Sequence, residues 1–521
     1  VPCTWFQIVE IPQTAPNVNF PKNWYSYQFQ IGTTQFATFI TPKENGTMLI
    51  RLIISFCLLL PGWLAVAQND INDTTAQIAI SDSVQVFRTV NTITITGNKR
   101  TKIYLVHREL AFKEGVTYSL KDLESRITLS KEQLINTTLF VDVEITKVEA
   151  ANDMLDVSIV VKERWYLFPV PYFKVIDRNW NEWIKTYGAS LSRVNYGIKV
   201  TQNNLTGRND NLNIWLINGY TQQVSFNYTQ PYLDKKLKHG MFMGFQYARN
   251  REVNYGVNFD TLQFLKLNDF ARTYINGNLG YTYRKGSRER HSVRLSFTSE
   301  NLDSAIVNKN PDYFGNGRMK AFYTDLSYTF QYFNVDYIRY PLRGWYVDVY
   351  AFKRFSKTLG LWGLGGKYLH SWKLPIPNSY FVLQAAASIR FPFNQPYFNS
   401  RLLGYGDLSM RGMEYLVVNG VAGGVLKATL RKKLFGFTLK NFVKSKTHDR
   451  IPFTFYGKIF GDLGYAYSKE KDNNSRLNNK LLRTGGFGID IVTFYDLVLK
   501  LEFSFNQLGN HGIYYHTGSD F

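Results

Sequence analysis

Bond-making or metal chemistry in a chain of this kind would begin at histidine or cysteine, and the 521 residues include seven of the first and two of the second. His107, His239, His291, His370, His448, His511 and His516 are scattered, with no metal-like spacing and no obvious Ser partner. Cys3 and Cys57 both precede an expected cleavage site, so neither offers a thiolate to the mature chain. The stretch "GLWGLGGKY" (360–368) contains Gly-Gly-Lys but lacks the spacing and the Ser or Thr of a phosphate-binding loop, and reads as a glycine-rich strand. No enzyme, no metal site and no cofactor is expected. What remains are charges set close to glycine: Arg411 beside Gly412 in "SMRGMEY" (409–415), and Asp462 between Gly461 and Gly464 in "FGDLGY" (460–465).

The elements that would hold those residues are strands. The chain is rich in Tyr, Phe, Asn and Gly and reads as short strands with turns, a mostly β protein. One stretch is apolar enough for a helix. Met48 and Arg51 give it a short positive start, Leu52 to Leu60 an apolar run, and Ala65-Val66-Ala67 a small-residue cleavage site before Gln68. That is the layout of a secretory signal peptide over 48–67, which Pro61 and Gly62 interrupt too early for a membrane span. A signal peptide is read at an N-terminus, so residues 1–47 are expected to be a misassigned extension upstream of a natural start at Met48. Gln68, not Cys, follows the cleavage site, and no lipid anchor is expected. The formal net charge of +21 survives this cleavage almost intact. On an exported protein it points to anionic lipid headgroups or an anionic polymer rather than nucleic acid, although a scattered solvated charge gives the same total.

After a linker over 68–86, residues 87–164 mix strand and helix in the order β-α-α-β-β. Val90 to Thr96 alternates, Lys102 to Ala111 and Ser119 to Asn136 have helical spacing, and Phe140 to Val148 and Leu155 to Glu163 alternate again. Ile93 and Ile95 share a face, Val141, Val143 and Ile145 are expected on the inner face of a second strand, and Leu120, Leu123, Ile127 and Leu134 form the covering helical stripe. Ser119 is placed to cap the second helix.

Beyond Pro169 and Pro171 strict alternation takes over. Leu326, Tyr328, Phe330 and Tyr332 interleave with Asp325, Ser327, Thr329 and Gln331, and Leu499, Leu501, Phe503 and Phe505 with Lys500, Glu502, Ser504 and Asn506. A soluble sandwich alternates too. The export signal, segments of about ten residues and tyrosine-rich strand ends favour a transmembrane barrel over 165–521. From Tyr187 onward the count is about sixteen strands, ending at Phe521, with a loop of about 393–424 too long for a hairpin turn.

Several short stretches then resemble one family. "VNTITITGNKRTKIYLVHRELAFKEG" (90–115) is similar to the opening of a POTRA domain, and "SKEQLINTTLFVDVEI" (130–145) to its second helix and exit strand. "NNLTGRNDNLNI" (203–214) resembles an early barrel hairpin, "SMRGMEY" a Val-Arg-Gly-Phe/Tyr loop motif, and "FGDLGY" a Phe-x-Asp-x-Gly strand motif. Together they resemble the outer-membrane assembly and translocation superfamily of POTRA-plus-barrel proteins, BamA- and TamA-like, also called the bacterial surface antigen family. The fold implied is a 16-stranded transmembrane β-barrel behind one POTRA domain.

The resemblance implies a role for the two charges. Period two turns Lys458, Phe460 and Asp462 toward the lumen, and an inward Asp needs a partner. A loop folded back into the barrel would set the Arg411 guanidinium on Asp462 as a bidentate pair, with Gly412 allowing close backbone approach. Phe460, Gly464 and Tyr415 would support this lock, and Phe521 would close the barrel. Met410 and Met413 depart from the motif, as does Lys427, which stands where relatives often carry an acid. The implied function is an outer-membrane insertase or translocase. Its periplasmic POTRA edge, at Val141, Val143 and Ile145, would take an extended client or a lipoprotein subunit by strand addition, and its seam would open to the bilayer. A two-partner-type secretion pore and a passive porin or receptor remain the alternatives.

Overall fold

The computed structural model describes residues 86–521 apart from 152, 176–188, 235, 407, 441–449, 470–473, 494–496 and 518–521. The expected extension, the signal peptide, all but the last linker residue, His448 and Phe521 lie outside the described residues.

The N-terminal module runs β1 (Phe87–Thr96), α1 (Ile103–Arg108), β2 (Thr117–Ser119), α2 (Leu120–Asn136), β3 (Phe140–Glu149) and β4 (Met154–Glu163). Its sheet has the order β2-β1-β4-β3, with β1 and β4 parallel. The three-residue β2 is an addition to the expected order, being too short to display a period. Ser119 Oγ accepts from the Asp122 N–H at 3.2 Å and so caps α2, whose Leu123 and Leu134 are buried against Val143, Val157 and Ile159. One expectation fails. The register of β3 shifts between Phe140 and Asp142, so Phe140, Val143 and Ile145 reach the core while Val141 does not join it. A bulge there resets the alternation.

The rest of the chain builds one sixteen-stranded antiparallel sheet. It begins with β5 (Leu167–Val175), β6 (Val194–Asn203), β7 (Asn211–Gly219), β8 (Thr221–Gln230) and β9 (His239–Asn250). A side hairpin follows, of β10 (Glu252–Asn258) and β11 (Thr261–Lys266). The sheet resumes with β12 (Arg272–Tyr283), β13 (Glu289–Leu302), β14 (Lys320–Val335), β15 (Gly344–Phe355), β16 (Leu361–Lys373) and β17 (Ser379–Phe391), a short α3 (Ser304–Lys309) lying between β13 and β14. A long loop with α4 (Tyr397–Ser400), β18 (Arg401–Leu403) and β19 (Val418–Asn419) leads to β20 (Ala422–Lys440), β21 (Arg450–Tyr467), β22 (Leu482–Thr493), β23 (Val498–Asn506) and β24 (His511–Thr517). The sixteen thus start at Leu167, not Tyr187. Pro169 and Pro171 disguise β5, and prolines fit there because β5 stands at one end of the sheet order.

Segments far apart in the sheet order meet. Tyr340, in the turn between β14 and β15, donates to Asp490 on β22 at 2.9 Å, and Asp260, between β10 and β11, accepts the Arg476 N–H at 2.8 Å. Contacts between strands so far apart in order require a sheet curled on itself. Its burial is the reverse of a soluble protein's. Lys458, Asp462, Asp490 and Glu502 are buried, whereas Ile459 is 57% exposed and Phe487 56%.

The module docks on one end of four sheet turns. At β6–β7, Lys102 N–H donates to Gly207 O at 3.0 Å and Arg100 Nη2 to Leu205 O at 2.6 Å. At β8–β9, Tyr232 and Leu237 enter the module's own core. At β12–β13, Arg284 pairs with Glu109 at 3.4 Å. At β14–β15, the Asn136 amide bridges Asp336 O and Ile338 N–H at 3.3 and 3.1 Å.

Candidate functional site

The loop between β17 and β20 enters the lumen because its apolar residues have somewhere to go. Leu402, Leu403, Leu408, Met410, Met413, Leu416 and Val418 are buried in one cluster with Val425, Ala466 and Leu482 of the surrounding strands. The two methionines that depart from the family motif are therefore packing residues. Gly464 leaves the space that Met410 fills, since a Cβ there would stand 2.3 Å from the Met410 sulfur.

This packing carries Arg411 to Asp462. The Arg411 N–H and Nε each donate to Asp462 Oδ2 at 3.0 Å, and Nη2 donates to Oδ1. Nη1 donates to Thr429 Oγ1 at 2.9 Å, and the guanidinium lies 4.0 Å above the Phe460 ring. The Asp462 side chain is fully buried and that of Arg411 is 14% exposed. The planar fork matches a carboxylate, which places the pair among the stronger polar contacts once both groups are removed from water. Lys427 sits opposite Asp462 in the β20–β21 register.

Gly412 has φ +80°, and a Cβ on it would meet Ser504 Cβ at 3.1 Å and Phe505 O at 3.2 Å. Its carbonyl accepts from Asn506 Nδ2 at 2.7 Å, so the loop leans on β23. Here glycine is required twice, by dihedral and by space. Tyr415 does not enter the loop cluster; it is half exposed and packs against Tyr514 of β24, ring centroids 5.9 Å apart.

Three groups escaped the sequence reading. Lys458 donates to both Asp490 and Glu502, with Arg431 Nε at 3.9 Å from Asp490. Alternation marks each as inward, but the partners lie on four different strands. Arg401, farther up the loop, lies 5.1 Å over the Tyr313 ring and donates to its hydroxyl at 2.7 Å, a second anchor. His516 reaches Glu414 of the loop and Glu502, across separations that no local spacing reveals. The expected binding edge is only partly placed. β3 is an outer strand of its sheet, but Val143 faces inward, so its backbone and not that side chain is what a partner could meet.

Comparison with known proteins identifies the first of the two parts. Residues 88–164 match the family described as "POTRA: Surface antigen variable number repeat". BamA from Haemophilus ducreyi lacking POTRA domains 1–3 is similar over 83% of this chain and 84% of that one, at 15% identity and a TM-score of 0.47. CdiB from Escherichia coli is similar over 83% and 76%, at 12% identity and a TM-score of 0.48. CdiB from Acinetobacter baumannii is similar over 83% and 73%, at 13% identity and a TM-score of 0.42. At such identities and scores these likenesses establish nothing about what the chain does. No curated protein sequence matches it. By its own sheet and by the match over 88–164, the chain is a POTRA domain followed by a sixteen-stranded antiparallel sheet, the architecture of the POTRA-plus-barrel proteins it resembles.

Proposed function

We propose that the protein resides in a bacterial outer membrane, with its POTRA domain in the periplasm, and that it inserts or translocates polypeptide clients without bond chemistry. The observation that carries this reading is the inverted burial of the sheet, charges inside and Ile459, Phe487, Leu501 and Phe505 outside, joined directly to a POTRA domain. An apolar outer face with a polar interior suits lipid. In this reading the outer backbone edge of β3 accepts an extended client or partner segment by strand addition. The seam lies where the sheet order ends, at β5 and β24, of nine and seven residues, which part to admit the client toward the bilayer. Arg411 and Asp462 hold the loop in the lumen and brace β20 and β21, three to four strands in from β24. A plug so anchored speaks for a regulated passage over a permanently open pore.

The test is reconstitution of the full chain in liposomes with unfolded outer-membrane barrel proteins from the same cell. Faster folding of one of them supports insertion. Export of a soluble polypeptide with no gain in barrel folding would move the function to a secretion pore, and a large, steady conductance with neither effect would leave a passive barrel.

A further inference from the structure

Glu414 in the plug loop, Glu502 on β23 and His516 on β24 each bring one ligand atom to within 4.8 Å of the others. His516 Nε2 stands 3.3 Å from Glu414 Oε1 and 3.5 Å from Glu502 Oε2. One oxygen of each carboxylate already accepts a hydrogen bond. Glu414 Oε1 accepts the Gly412 N–H at 3.0 Å, and Glu502 Oε1 accepts from Lys458. Glu414 Oε2, Glu502 Oε2 and His516 Nε2 are buried with no hydrogen-bond partner, and one oxygen of each carboxylate lies within 4.8 Å of the imidazole nitrogen. Buried polar atoms are seldom left so, and the Glu502 side chain is only 2% exposed.

We propose that these three residues bind a divalent transition-metal ion of the zinc type, which fastens the last strand to the plug. One imidazole nitrogen and two carboxylate oxygens suit zinc and its neighbours cobalt and nickel. Magnesium and calcium favour all-oxygen sets, and copper(I) favours sulfur. Three protein ligands leave a further position for water. Lys458 is shared between Asp490 and Glu502, and Arg431 lies toward Asp490. Among the described residues, His516 is the ion-pair partner of Glu414. An imidazolium at His516 is the rival occupant, but its single Nε2 proton can serve only one of the two carboxylates well, whereas a metal ion can take Nε2 and one oxygen of each carboxylate together. The His516 side chain is 29% exposed, which gives an ion a way in.

The experiment uses the full chain in detergent micelles, stripped with a chelator and verified as folded by heat-modifiable migration. Zn2+ is titrated calorimetrically, and Co2+ is followed by its visible absorption. The site predicts one saturable equivalent per chain, a cobalt spectrum of mixed nitrogen and oxygen ligation, and unfolding at higher temperature with Zn2+ present. His516→Ala and Glu414→Gln should each weaken binding by more than about tenfold, the loss expected even for outer-shell partners. Glu414 lies on a loop, so its variant keeps the test valid should His516→Ala misfold. No saturable binding to the folded wild type overturns the proposal. So does affinity unchanged in a folded variant, or an ion-indifferent protein whose stability follows pH through the histidine range only while His516 is present.

Discussion

Two arcs of the sheet are braced in different ways. From β6 to β15 the support comes from outside, at the turns, where the POTRA domain adds backbone hydrogen bonds and a shared apolar core. From β20 to β24 it comes from inside, through charged side chains that the plug loop meets in the lumen. The first arc is held by many modest contacts and the second by a few that are costly to break, because unpaired charge in a dry interior has nowhere to go. The difference implies that loss of one residue should be absorbed in the first arc and propagate in the second.

Charge reversal tests the inner brace most severely. Arg411→Glu or Asp462→Arg should each cost about 3–5 kcal/mol, read as a fall in heat-modifiable barrel in the membrane, and the double variant should recover part of it. Singles at wild-type level would erase the contrast. Gly412→Ala comes next, at about 1–3 kcal/mol, since its φ of +80° and the approach to Ser504 oppose any side chain. On the outer arc, Asn136→Ala removes two hydrogen bonds to the β14–β15 turn and should cost about 1–3 kcal/mol. Limited proteolysis of the POTRA domain should detect it while barrel migration stays unchanged. A barrel that fails to fold would mean that the two arcs are not independent.

The smallest effect concerns pH. Burial, and then the nearby Asp336, push the Glu132 carboxyl above its usual range. Docking therefore takes up a proton, and its stability should fall as pH rises from the ordinary carboxylate range through the raised value. Glu132→Gln should flatten that slope in the same proteolysis assay.

Much of this division was legible before any coordinates. Alternation on β21 and β23 separated inward Lys458, Asp462 and Glu502 from outward Ile459 and Leu501, because period two is a local property of the chain. Ser119 as a cap and the long loop between the eleventh and twelfth strands were legible for the same reason. Residues whose role depends on who arrives opposite were not. Val141 was misplaced by a bulge that no composition marks, β5 was hidden by its prolines, and the partners of Lys458 lie 32 and 44 residues away. Docking on four separate turns was invisible altogether, since each turn by itself is ordinary.

Fixed at those four turns, the POTRA domain is a handle more than a tether. In the proposed role, a client that pulls on β3 would not spend its work flexing a linker; it would apply torque to half the staves of a cask as one piece. The plugged half, clamped from within, would be the anvil against which that torque acts, and the strain would fall on the two ends of the sheet order, β5 and β24.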